Sequence, residues 1–312
     1  MFAIVIVDYN TIEDTLKYIE QSILKIQSNG KLHFVIVDNG NRTDTKEKIH
    51  RAYGDKNKID YICEKEVEIF EFAQTDVAIC YAQSNLGYAK GNNLGLKVSE
   101  KLFGNNYALI SNNDIIVQDI IELDEIERIF EQNKNIAVIG PRIIGRDGKV
   151  QNPHRYISSY KDLLFYYWSM ALLNCFRNYL DDVDYKDKSG YCDWVMGCFT
   201  FLDCRKVKEV GYFDENTFLY YEEQILSKKL ERYKYTNYYY KDITVIHNHG
   251  ATVKKNVSRL TNVRITFNSA CYYYQNYRGV SAKFICLAKA NFIIYTGIYK
   301  FKQMIKRMIK YR

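Results

Sequence analysis

Two hydrophobic periodicities alternate along the first part of the chain. Residues 2–7 (FAIVIV) form a continuous apolar, β-branched run, the pattern of a strand covered on both faces. Behind them Ile12, Leu16, Ile19, Ile23 and Ile26 recur at helical spacing, and Thr11 with Asp14 makes a capping-box-like start, which predicts a helix over residues 11–26. Residues 32–37 are a second buried strand running into Asp38-Asn39-Gly40, a turn signal. The alternation continues with a strand over 77–82, a helix over 87–101 and a strand over 107–110. Past about residue 140 the pattern loosens. An aromatic-rich helix is expected over 160–180, a strand over 194–202, a helix over 222–233 and a short strand over 243–247.

Strand and helix in repeated alternation imply an α/β fold with a mostly parallel central sheet flanked by helices. Such sheets bind ligands at the carboxyl ends of their strands, where Asp8, Asp38 and Asp114 all fall. Gly87, Gly91 and Gly95 share one helical face, so the backbone there can approach another surface closely. Their spacing is not the dinucleotide fingerprint, and tight packing of helix on sheet explains it equally well.

Other residues carry candidate chemistry. Asp114 is either a solvated turn residue or a ligand to a hard cation, which needs one or two carboxylates plus substrate phosphates. Asn113 beside it offers an amide oxygen or an Asx turn. Glu222 and Glu223 open a predicted helix, where the helix dipole favours carboxylates; one of them is otherwise placed to act as a general base. His247 and His249 lie one residue apart at a strand end, as polar surface or as metal ligands.

Composition changes the picture mainly at the carboxyl end. The chain has 312 residues, 47% hydrophobic and 26% charged, as expected of a folded globular protein. Its net charge of +7 hides an asymmetry: thirteen Lys and Arg follow Asp242, the last acid, whereas 31 of the 44 cations face all 37 acids before it. The tail is therefore expected to meet an anionic partner. Residues 282–312 mix large apolar side chains with Lys and Arg. They read as a basic amphipathic helix lying on an anionic membrane surface, or as a helix docked on the protein's own acidic face. No nucleic-acid-binding module accompanies the tail, so a nucleic acid partner is not expected. The eight cysteines show no CxxC pair and read as reduced, mostly buried thiols. The first residues lack a basic n-region and a cleavage site, so a cytoplasmic protein, peripheral on the inner face of the membrane, is expected. The aromatic segment 160–180 is a candidate interface for a homodimer.

The ordered blocks FAIVIVDYN, FVIVDNG, NLGYAKGNN, ALISNND, GYFDENTFLYYEEQILSKKLER and VIHNHG carry a family resemblance. Over roughly residues 1–250 the chain resembles the family 2 glycosyltransferases, and among them the rhamnosyltransferase-like enzymes of bacterial surface and capsular polysaccharide biosynthesis. The resemblance implies a GT-A fold over 1–250, with a nucleotide-sugar-binding half at 1–115, an acceptor-binding half at 116–250 and a basic helical extension at 251–312. It implies a metal-dependent, hexosyltransferase-type enzyme with Mn²⁺ or Mg²⁺ as cofactor. Asp8 and Asn10 then lie in the loop that contacts the nucleotide, Asp38 near the base or ribose, and Asn85, Gly87 and Lys90 in the segment that closes over the nucleoside. Asn112, Asn113 and Asp114 occupy the DxD position, where Asp114 binds metal together with His247. Glu223 matches the base and Glu222 the acid preceding it.

Three positions depart from the pattern. Asn112 replaces the first DxD acid, Glu stands for Asp at the base, and Asp8 replaces an uncharged residue. The implied reaction is an inverting transfer from a UDP- or dTDP-linked sugar to a hydroxyl of a glycan or lipid-linked glycan. A non-catalytic relative that binds nucleotide sugar or glycan is the second reading, kept alive by Asn112.

Overall fold

The computed structural model describes residues 2–30, 32–40, 44–45, 47–48, 51, 59–63, 77–154, 187–248 and 258–310. Strand β1 (Phe2–Asp8) leads into α1 (Ile12–Ile23), a short β2 (Ile26–Gln27) and β3 (Leu32–Asp38). Then come β4 (Ile59–Cys63), β5 (Val77–Tyr81), α2 (Gly87–Phe103), β6 (Tyr107–Ser111), β7 (Ile115–Val117) and β8 (Ile121–Glu122). The chain continues through α3 (Leu123–Gln132), β9 (Ile136–Gly145), β10 (Gly190–Cys192), β11 (Phe199–Asp203) and α4 (Cys204–Glu209). It closes with α5 (Glu222–Arg232), β12 (Thr236–His247), α6 (Arg259–Tyr277) and α7 (Ala282–Lys310).

The large sheet has the order β10-β12-β9-β11-β6-β1-β3-β5-β4, with β7 beside β12. Pairs β1/β3, β1/β6, β3/β5, β4/β5 and β9/β12 are parallel. Strand β11 runs antiparallel between β6 and β9, so its start abuts the end of β6, with Phe199 opposite Ser111. That reversal brings the turn before β11 to the carboxyl ends of β1, β3 and β6.

Alternation along β1 assigns its two faces. Ile4 and Ile6 join Ile12, Leu16 and Ile19 of α1 and Phe130 of α3, while Val5 packs on the other side with Ala89 and Leu96 of α2. The shared glycine face of α2 lies against the sheet. A side chain at Gly95 would collide with Val5, and one at Gly91 would press on Val7. The packing reading of these two glycines is therefore the correct one. A third cluster gathers Ile225 of α5 with Phe267, Tyr273 and Tyr274 of α6 and Ile285 and Phe292 of α7.

Several sequence expectations need correction. Helix α1 stops at Ile23, because a turn at Lys25 closes on Ser22 and Ile26 is taken into a parallel pair with Ile121. Thr11 makes no side-chain cap to the helix; its hydroxyl donates to Asp8 instead. The strand expected over 194–202 is Phe199–Asp203, with Trp194 held by an isolated bridge to His154. The short strand at 243–247 is the end of a twelve-residue strand whose irregular register between Tyr240 and Thr244 had broken its pattern. Residues 160–180, His249, Gly250 and the boundary near 250 lie outside the described residues. Cys80, Cys192, Cys198, Cys204, Cys271 and Cys286 are free thiols, Cys286 alone among them exposed.

Candidate functional site

At the end of β1 the buried Asp8 caps α1 from upstream. It accepts from the Thr11 N–H (3.1 Å), the Thr11 hydroxyl (3.0 Å) and the Thr15 hydroxyl (2.6 Å). Burial raises its carboxyl above the usual range, and these hydrogen bonds oppose the rise. The amide nitrogen of Asn113 is committed to the same group, donating to Thr11 and Thr15 at 2.8 Å and to Asp8 at 3.3 Å. Asp8 and Asn113 thus tie the loop after β6 to the first helix.

Asp38 stands opposite Asp8 in register, buried at the end of β3. Its Oδ1 accepts from the Gly40 N–H (3.0 Å), while its buried Oδ2 has no hydrogen-bond partner among the described residues. Asn10, in the left-handed region at φ 60°, crowds against Gly40. The neighbouring Asn39 was read from sequence only as part of a turn, and it organises the glycine-rich segment. It donates to Asn85 Oδ1 and the Gly87 carbonyl (both 3.1 Å) and accepts from the Leu86 N–H (2.7 Å). Gly87 has φ +77°, and a side chain there would run into the Phe218 carbonyl, which accepts from the Tyr88 N–H (2.9 Å). Asn85 and Lys90 are exposed beside this pinned turn.

The turn at Gly197-Cys198 joins the two halves of the site. The Cys198 carbonyl accepts from the Asn112 N–H (2.8 Å). The Gly197 N–H donates to Glu223 Oε1 (2.9 Å), and the Gly197 carbonyl accepts from the Tyr88 hydroxyl (2.5 Å). Burial, then the negative charges of Asp114 and Glu223, push the Cys198 thiol well up. Burial and the charge of Glu223 likewise hold the Tyr88 phenol protonated. Sequence reasoning missed Gly197, whose only signal was an isolated glycine just before a strand.

The two adjacent glutamates differ in environment. Glu222 is 2% exposed and its Oε1 lacks a partner among the described residues. Burial and then the charge of Glu223 push its carboxyl well above the usual range. Glu223 is half-buried, raised by burial, and opposed by backbone hydrogen bonds including Gly197. Both follow Tyr220 and Tyr221, each in the left-handed region at φ 72°. That strained pair is held from α6, where Asn262 accepts from the Tyr220 hydroxyl (2.8 Å) and the Ser269 hydroxyl donates to the Leu219 carbonyl (2.7 Å).

Asp114 and His247 meet because Ile115 pairs with His247 across β7 and β12, and the Asn248 N–H donates to the Asp114 carbonyl (2.9 Å). His247 Nε2 lies 3.6 Å from Asp114 Oδ1, too far for a hydrogen bond and close enough for both atoms to reach one cation at about 2.1 Å each. That Oδ1 is buried without a hydrogen-bond partner among the described residues. Gln151 Oε1 lies 3.3 Å from His247 Nδ1, on the side of the ring away from Nε2 and Asp114. The donor set fits a hard divalent ion completed by substrate oxygens. Among the described residues no group of three or more His, Cys, Asp or Glu gathers to hold a metal alone. Asn112, half-buried at the same turn, contributes no charge.

Comparison with known proteins gives two findings beside this geometry. Over 223 residues, 71% of this chain, the sequence is 27% identical to the low-salt glycan biosynthesis hexosyltransferase Agl10 of Haloferax volcanii; the match spans 58% of that relative's length. No family model matches the chain. The fold is similar to crystal structures of S. aureus TarS 1-349. The complex with UDP-GlcNAc has a TM-score of 0.52 at 12% identity, covering 94% of this chain and 72% of that one. The complex with UDP has a TM-score of 0.50 at 15% identity, covering 94% and 70%. The α/β, GT-A-like fold expected from the sequence therefore holds.

Proposed function

We propose that the chain is an inverting glycosyltransferase that moves a hexose from a UDP- or dTDP-linked donor to a hydroxyl of a glycan or lipid-linked glycan. The observation that carries this reading is the Gly197-Cys198 turn, whose Gly197 N–H holds Glu223 and whose Cys198 carbonyl holds Asn112, two residues before Asp114. A base and a diphosphate-binding position flanking one turn are what single-displacement transfer needs. The likeness to a hexosyltransferase of glycan biosynthesis and to a protein crystallised with UDP-GlcNAc supports the same reading. Assignment to the rhamnosyltransferase-like enzymes of capsular polysaccharide assembly rests on the ordered motifs alone.

In this mechanism the buried ends of β1 and β3, with Asp8, Asn10 and Asp38, and the pinned segment bearing Asn85, Gly87 and Lys90 enclose the nucleoside. Asp114 and His247 are the residues that would hold Mn²⁺ or Mg²⁺, and the imidazole nitrogen would favour Mn²⁺, since Mg²⁺ prefers oxygen ligands. The bound cation supplies charge stabilisation for the departing diphosphate. Glu223 takes the proton of the acceptor hydroxyl; that oxygen bonds to the anomeric carbon from the face opposite the diphosphate. The bond to the diphosphate oxygen breaks and its electron pair leaves with the diphosphate, so the anomeric configuration inverts.

Thermal-shift titration with UDP- and dTDP-sugars in the presence and absence of Mn²⁺ tests the reading. One donor should raise Tm in a Mn²⁺-dependent way, and Asp114→Asn or His247→Ala should remove that dependence. No stabilisation by any donor would contradict it.

A further inference from the structure

Helix α7 is half inside the protein and half outside it. Ile285, Ala288, Phe292 and Tyr295 lie on the docked face, with Phe292 stacked on Phe267 of α6 at 4.1 Å between ring centroids. Tyr295 is the last residue of the helix whose described side chain is fully buried. The opposite face carries Leu287, Ile294, Ile298, Phe301, Ile305 and Met308, all exposed, Phe301 at 58% and Met308 at 64%. Steps of seven, four and three residues place them in a single stripe.

A stripe with that spacing also suits a coiled-coil partner, and charge decides between the occupants. Every charged residue of α7 is Lys or Arg. A second copy would set one all-cationic helix against another with no acid to answer it. An anionic surface is complementary to it along its whole length. Lys300 and Lys302 sit on either side of Phe301, each about 100° round the helix, where long side chains can reach headgroups while the ring enters the acyl region. Among the described residues no helix is long and apolar enough to cross a membrane, so the stripe is laid on a surface and does not span it.

We infer that the Leu287–Met308 stripe of α7 is a docking face for a bilayer rich in anionic lipid. The face is connected to the candidate site through α6, which packs on both α7 and α5 and shares an apolar cluster with Ile225 of α5, two residues beyond Glu223. A docked α7 therefore presents Glu223 to an acceptor carried in the bilayer; this last step rests on the glycosyl-transfer reading, whereas docking does not.

The test is co-sedimentation of the full chain with vesicles of phosphatidylcholine alone and of phosphatidylcholine with phosphatidylglycerol, in low and high salt. Sedimentation velocity and donor turnover without vesicles are followed in parallel. Binding is expected to the anionic vesicles, to weaken at least tenfold in high salt and with Lys300→Glu/Lys302→Glu, and to be lost with Phe301→Ser/Ile305→Ser, whose circular dichroism stays that of the parent. Equal binding to both vesicle types, binding unchanged by these substitutions, or a stripe-dependent dimer that ignores vesicles would each overturn the inference. Vesicle binding without donor turnover would instead count against the transfer reading and leave docking standing.

Discussion

At the scale of single residues, two adjacent glutamates of the candidate site sit in different environments, Glu222 buried and Glu223 half-buried. Glu223 is held by the Gly197 N–H at 2.9 Å, and in the proposed transfer it would have to be ionised to accept a proton. Its raised carboxyl is expected to move the acidic limb of kcat/KM above the ordinary Glu value of about 4.3. A pH–rate profile of the parent chain measures that limb. Glu222 titrates against stability. Its folded-state carboxyl is raised by burial, so it contributes stability while protonated, below the ordinary Glu range, and loses it as pH rises through the raised value. Glu222→Gln keeps the neutral form at every pH. The variant is expected to have a higher Tm than the parent at neutral pH and an equal one near about pH 4, by calorimetry at both. Of these residues the sequence displayed identity and order, and the motif order singled out Asp8, Asp38, Asp114, Glu223 and His247. It did not display Asn39, Gly197 or Gln151, whose contributions come through backbone contacts and second-layer hydrogen bonds between distant segments.

At the scale of elements, α2 and the turn before it are fixed by close approach. Gly95 presses directly on Val5, so Gly95→Val forces the helix off the sheet; a loss of about 1–3 kcal/mol is expected in urea denaturation. Asn39→Ala strands the Leu86 N–H and the Gly87 carbonyl, which costs about 1–3 kcal/mol where those groups stay dry. Its functional mark should be a raised KM for donor with kcat less affected, since the turn it pins encloses the nucleoside in this account. The buried strands β1, β3 and β6 were legible because hydrophobic runs bounded by turn residues have few other readings. The extent of β12 was not, because Lys241 and Asp242 interrupt its apolar pattern where its pairing to β9 shifts register. The end of α1 was equally hidden, since pairing of Ile26 with Ile121 is a contact across the chain.

At the scale of the whole molecule, the reversed β11 set between parallel strands brings the Gly197-Cys198 turn to the carboxyl ends of the central strands, where Asp8, Asp38 and Asp114 lie. The alternation of strand and helix announced the α/β fold; the reversal at β11 followed from no local pattern. The α6-α7 unit is joined to α5 through an aromatic cluster, and Phe292→Ala should cost about 3–5 kcal/mol by opening it. The central claim is that Glu223 deprotonates an acceptor in a sugar transfer. Its most direct measurement is release of nucleoside diphosphate from UDP- and dTDP-sugars, with Mn²⁺ and a glycan or lipid-linked acceptor, by the parent chain and by Glu223→Gln. Release from one donor by the parent is predicted, reduced about 10²–10⁴-fold in the variant while donor still raises the variant's Tm. No release from any donor, or equal release by the two proteins, would contradict it.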